Sequence, residues 1–286
     1  MTPIAVVLVV ASAFAHAGWN AIAKRGPAGP AYTFVLVAIE AGVLVPVGVV
    51  AALAAGVEWS WTWLWVLVVA GALQAVYFRL LRGGYARGDL SVVYPVTRGF
   101  GALCAAVLGI AVIGERPGAL AVAGAALVIV AVVLLADPRS GSGRAQRGAV
   151  VLALCAGVMI GVYSWWDRRA VTDVAMPVLL YTWAAAVLEA AWLAPAGLRD
   201  RGALVRALRH WRSAAVAGVL RFGAYALVLL AYAWQSAPLS VVAPLRETGI
   251  LIGVWIGGTY LGEEDRRRRL IASAVIVAGG VLLVVG

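Results

Sequence analysis

Apolar residues run through this chain in blocks of about 20, the length an α-helix needs to cross a bilayer, and the blocks follow one another with little between them. They predict helices over 4–23, 31–55, 62–82, 90–112, 118–136, 148–166, 176–197, 213–235, 238–260 and 269–286. The expected fold is an all-α polytopic membrane protein with ten transmembrane helices. The longest polar stretches, Asp137 to Arg147 and Arg199 to Arg212, are too short to fold as a soluble domain, so any function lies in the membrane.

Composition sharpens this picture at two points. Hydrophobic residues fill 64% of the 286 positions, and the net charge of +10 comes from arginines gathered in the connections. That distribution orients a membrane chain and argues against nucleic-acid binding. Odd-numbered connections hold 17 Lys and Arg, against three (Arg116, Arg168 and Arg169) on the other side. Odd connections are therefore expected in the cytoplasm and both termini outside, in a bacterial-type inner (plasma) membrane. Cys104 and Cys155 each sit in an apolar span, and His16 and His210 are far apart, which predicts no disulfide, metal or cofactor. Residues 4–17 end in small residues like a cleavage site, but no basic region precedes them, so they read as the first helix.

The chain is one unit written twice. Tyr32-Thr33-Phe34, Glu40, Pro46 and Gly48 return 149 positions later as Tyr181-Thr182-Trp183, Glu189, Pro195 and Gly197. His16, Trp19 and Asn20 correspond to Tyr163, Trp166 and Asp167 at an offset of 147, and Leu90-Ser91-Val92-Val93-x-Pro95 to Leu239-Ser240-Val241-Val242-x-Pro244 at 149. The expected units are residues 1–137 and 148–286, joined by a short cytoplasmic linker, 138–147. Five helices per unit is an odd number, so the second unit enters the membrane from the opposite side. Inverted repeats offer two near-equivalent packings that open one central site to either face.

Ionised groups at mid-membrane are costly and need a reason. Six stand out: Glu40, Glu189, Glu247, Arg98, Arg221 and Arg246. They either neutralise one another in fixed pairs or serve a substrate or proton pathway. Glu40 and Glu189 are repeat-related, which suits a symmetric structural role, whereas Arg98, Arg246 and Glu247 break the symmetry as an asymmetric substrate requires. Pro95 and Pro244 just before them can open the helix and free carbonyls beside a cavity. Ser12, His16 and Asn20 form a polar stripe, with Tyr163 and Asp167 at equivalent spacing. Both stripes fit either interhelical hydrogen bonding or a cavity wall opposite Arg98 and Arg246. The unperturbed pKa of a histidine side chain lies near neutrality, which makes His16 a candidate for coupling to protons. Trp19 and Trp166 suit packing or the cavity, while Trp59, Trp61, Trp63, Trp65 and Trp211 read as interfacial anchors. Glu115, Glu263 and Glu264 stand at helix starts and read as caps there.

With these residues the chain resembles the EamA-type branch of the drug/metabolite transporter superfamily. His16-Ala17-Gly18-Trp19-Asn20, Tyr94-Pro95-x-x-Arg98-Gly99 and Pro244-Leu245-Arg246-Glu247 resemble a subgroup with HAxWN, YPxxRG and PLRE signatures. The resemblance implies two EamA-like repeats and secondary transport, often export, of a small polar metabolite such as an amino acid. Many relatives are described with cytoplasmic termini, where the loop charges here place them outside. The expected substrate-binding set is His16, Trp19, Asn20, Tyr94, Arg98, Tyr163, Asp167 and Arg246. The expected proton-coupling set is Glu247, His16, Glu40 and Glu189, with no catalytic or metal-binding residue. A lipid-carrier flippase of the same superfamily is the nearest alternative. A channel or scaffold comes next, and an intramembrane enzyme last, since the chain has no His-Glu-x-x-His and no serine flanked by glycines at minus two and plus two. The one lysine, Lys24, follows no nucleotide-binding loop, which argues for a gradient rather than ATP.

Overall fold

The computed structural model describes residues 3–56, 60–108, 118–136, 143–235 and 248–285. Among them there is no strand, and twelve helices follow in order: α1 (Pro3–Arg25), α2 (Pro30–Val43), α3 (Val45–Ala54), α4 (Trp61–Tyr85), α5 (Leu90–Leu108), α6 (Ala119–Ala136), α7 (Gly143–Thr172), α8 (Val178–Gly197), α9 (Arg201–Leu208), α10 (Trp211–Gln235), α11 (Gly249–Tyr260) and α12 (Arg266–Val285). Val6–Arg25, Trp61–Tyr85, Gln146–Val171 and Val178–Gly197 are long and apolar enough to cross a membrane, and α2 with α3 makes a fifth such span if the bent pair is one crossing. The polarity of the bundle is that of a protein in lipid. Val50, Leu53, Val122 and Val133 stand exposed, whereas Glu40 and Glu189 are buried at 3% and 0% exposure.

Three elements depart from the pattern expected of the sequence. The span expected over 31–55 is bent by 48° at Leu44, because Pro46 has no N–H to give and its ring crowds the carbonyl four residues back. Its repeat mate Pro195 lies near the end of α8 and leaves that helix whole. Likewise α5 runs unbroken through Pro95. The polar connection 199–212 forms the short helix α9, capped by Asp200, whose carboxylate accepts from the Ala203 amide at 2.9 Å.

Glu263 also does something other than cap its own helix. Its carboxylate accepts from the Leu90 and Ser91 amides at 2.7 and 2.9 Å, closing the N-terminus of α5 from the far end of the chain. Arg269 completes the junction, donating to Ser91 Oγ at 2.6 Å and to Asp89 at 2.7 Å. Nearby, Lys24 donates to the carbonyls of Tyr85 and Gly88, Arg82 to that of Pro27, and Arg25 to that of Tyr260. These bonds gather the basic ends of α1, α4 and α12 with the C-terminus of α11 on one face of the bundle.

Helix α1 packs along α10, and α4 along α7; α4 also meets α8, and α10 meets α2. The remaining large contacts join α2 to α8, α5 to α7 and to α11, and α6 to α12. Two glycines make the central contacts possible. A Cβ on Gly71 would lie 2.6 Å from Leu188 Cβ and 2.8 Å from the Glu189 nitrogen, and one on Gly218 would lie 2.7 Å from Glu40 Cβ. The wall at Gly71 is largely backbone and cannot yield. Gly71→Val is accordingly expected to lower stability by about 1–3 kcal/mol, read as a lowered melting temperature of the purified protein.

Candidate functional site

The helices α1, α2, α4, α5, α7, α8 and α10 surround a cavity of about 740 Å³, a size suited to a small molecule. It is floored by charge. Arg221, on α10, stands between the two repeat-related glutamates: its Nε lies 2.9 Å from Glu40 Oε2, and its Nη2 donates to Glu189 Oε2 at 2.6 Å. The guanidinium also covers the ring of Phe78, 5.2 Å from its centroid. Gly218 and Gly71 explain why the acids are so placed, since each lets a helix approach directly over one glutamate. One guanidinium cannot neutralise two carboxylates. The cluster therefore has room for one proton without loss of the bridge to arginine.

Of the residues expected to bind substrate or protons, seven line this cavity: His16, Trp19, Glu40, Arg98, Tyr163, Asp167 and Glu189. Asp167 accepts from the Tyr181 hydroxyl at 2.5 Å. Trp19 Nε1 donates to His16 Nδ1 at 3.3 Å, so a neutral His16 carries its hydrogen on Nε2. Asn20 lies behind the wall rather than on it. It is 1% exposed, accepts from the Tyr85 hydroxyl at 2.6 Å and donates to the His16 carbonyl at 2.8 Å, which fixes the angle between α1 and α4. Tyr94, 2% exposed, backs His16 with ring centroids 5.8 Å apart and fills the space left by Gly253. Trp166 donates to the Val66 carbonyl and packs in an apolar cluster. Ser12 bonds the Ala224 carbonyl, so the polar stripe of α1 divides between helix bonding and the cavity. Arg246 and Glu247 lie outside the described residues.

The wall also holds Gln74, Tyr77, Ser164, Thr182, Phe222 and Tyr225, which the sequence pattern does not single out, and Arg221, which it marks only as a membrane charge. A signal for two of them is present. Gln74 and Arg221 each stand three residues beyond a glycine, Gly71 and Gly218, at the offset of 147 that relates His16 to Tyr163. By that correspondence Gln74 occupies the place of a second arginine and leaves the glutamate pair with one.

No protein-family model matches the chain. No curated protein matches it in sequence. Eleven chains of solved structures match its fold. One of them, a crystal structure, superposes with a TM-score of 0.57 at 18% identity, over 98% of this chain and 93% of that one. At that identity the likeness speaks for the fold alone, and it extends over nearly the whole chain.

Proposed function

We propose that the chain is a secondary active transporter of a small polar metabolite, an exporter resembling the EamA-type drug/metabolite transporters. In this reading ten spans form two inverted five-helix units that rock about a shared site, driven by an ion gradient, with protons as the coupling ion. The observation that carries the proposal is the charged cavity enclosed by helices of both units within a bundle whose outer surface is apolar. A purely structural bundle gains nothing from burying three carboxylates and two guanidiniums around open space.

The helix contacts support the inverted arrangement. Under the repeat, α1 on α10 becomes α7 on α4, and α4 on α8 becomes α10 on α2; each of these contacts is present, and α2 with α8, α5 with α11 and α6 with α12 are repeat mates in direct contact. Gly71 against Glu189 and Gly218 against Glu40 repeat the relation at single residues. The gathering of basic loop ends on one face supports a cytoplasmic side there and external termini.

The test is flux in proteoliposomes loaded with a panel of amino acids, aminophosphonates and organic phosphates. The proposal expects at least one to move saturably and to respond to an imposed pH gradient. Linear flux identifies a channel, and movement of a fluorescent lipid phosphate between leaflets identifies a flippase. No flux of any of these compounds leaves a scaffold.

A further inference from the structure

The acids of the cavity are not equivalent. Glu40 and Glu189 share Arg221, but among the described residues no basic side chain pairs with Asp167. Arg169, two residues on, is turned instead to Asp173 and to the ring of Trp165. Tyr181 donates to Asp167 Oδ1, Tyr163 lies one turn before Asp167 on α7, and Tyr225 and Phe222 line the same cavity, with Ser164, Val171 and Thr182. A carboxylate that lines a membrane cavity with no basic partner among the described residues, flanked by electron-rich rings, is complementary to an organic cation. Among the described residues of the cavity wall, three carboxyl groups stand beside two guanidiniums.

We propose that Asp167, with Tyr163, Tyr181 and Tyr225, forms an ammonium subsite, so that the transported compound carries a cationic amine. The proposal rests on the transport reading and narrows its substrate class. The helix packing adds a condition. Helices α5 and α7 run side by side in the same direction, with Gly101 against Ile160 and Gly161 against Cys104. Arg98 lies one turn before the first contact and Asp167 two turns beyond it, which separates them by roughly 15 Å along the axis at about 1.5 Å per residue. Amine recognition and Arg98 act at separate levels of the cavity.

The test uses the purified full-length chain in detergent, titrated with tetramethylammonium chloride, with tert-butanol as the neutral compound of similar shape and with sodium chloride for ionic strength. A ligand of the folded form raises the melting temperature by mass action. Tetramethylammonium is expected to raise it in the wild type, with at least tenfold weaker apparent binding in Asp167→Asn and no effect of tert-butanol or sodium chloride. Three results overturn the subsite: no shift in the wild type, an equal shift with tert-butanol, or an unchanged titration in Asp167→Asn. The wild-type comparison decides the matter even where a variant does not fold. Ammonium binding in a protein without saturable flux removes the carrier and leaves the subsite. Saturable flux of compounds without a cationic group, unchanged in Asp167→Asn, removes the subsite and leaves the carrier.

Discussion

Arg221→Met is expected to destabilise the folded protein by about 3–5 kcal/mol, the range for removing one partner of a buried ion pair. Arg221 is 17% exposed, and the carboxylates it bridges are 4% and 1% exposed, so water cannot replace it. The packing forbids a rearrangement as well. Gly218 holds α10 against Glu40, and Gly71 holds α4 against Glu189, leaving the acids no path apart. The loss then comes from two carboxylates facing each other, not from missing contacts. Adding Glu40→Gln and Glu189→Gln to Arg221→Met is accordingly expected to restore most of the melting temperature while weakening the response of flux to pH. Thermal melts of the single and triple variants in detergent check the first part. A triple variant no more stable than Arg221→Met would show that the arginine acts through packing on Phe78 instead.

The second large effect is expected at the junction that closes the N-terminus of α5. Glu263→Ala removes the acceptor for the Leu90 and Ser91 amides and for the Ser91 hydroxyl, and leaves Arg269 with Asp89 and Ser91 alone. Two backbone donors without acceptors cost about 1–3 kcal/mol each where they are buried. A loss of about 3 kcal/mol in local stability corresponds to roughly 100-fold faster exchange, at one factor of ten per 1.4 kcal/mol. Hydrogen exchange measured on peptides spanning 88–95 checks this directly. Because Glu263 lies in the second half of the sequence and α5 in the first, the bond also ties the two halves of the chain together. Glu263→Gln keeps one acceptor oxygen and is expected to fall between the wild type and Glu263→Ala.

How much of the fold and the cavity is legible in the sequence depends on the strength of each physical signal. Burial in lipid demands long apolar blocks, so the all-helical architecture is plain in the sequence, though among the described residues four of the ten expected spans, or five with the bent pair, are long and apolar enough to cross. The repeat leaves Tyr32 and Tyr181, or Glu40 and Glu189, at a constant offset. The same symmetry picks out His16, Trp19, Tyr163 and Asp167, all of which line the cavity. The partner of the glutamates is harder to see. Arg221 matches Gln74 under the repeat, so symmetry conceals it, and its role is visible only once α10 packs on α2 and the arginine side chain reaches Glu189 on α8. Asn20 and Tyr94 show the converse limit. A polar stripe at helical spacing does not say which members face the centre, and Tyr85 claims Asn20 from a helix 65 residues away. Glu263 stands beside its own helix in sequence but closes another in space, a relation no local pattern encodes.

Alternating access makes a demand that does not depend on knowing the substrate. Ala102 lines the cavity, and Cys104 and Cys155 are the only cysteines of the chain. With both replaced by serine and a single cysteine introduced as Ala102→Cys, the decisive measurement is labelling by a membrane-impermeant thiol reagent, added separately to each face of oriented vesicles. The account predicts labelling from either face while the vesicles stay tight to the reagent. Labelling confined to one face under every gradient applied, or leakage of the reagent through the protein, would contradict it.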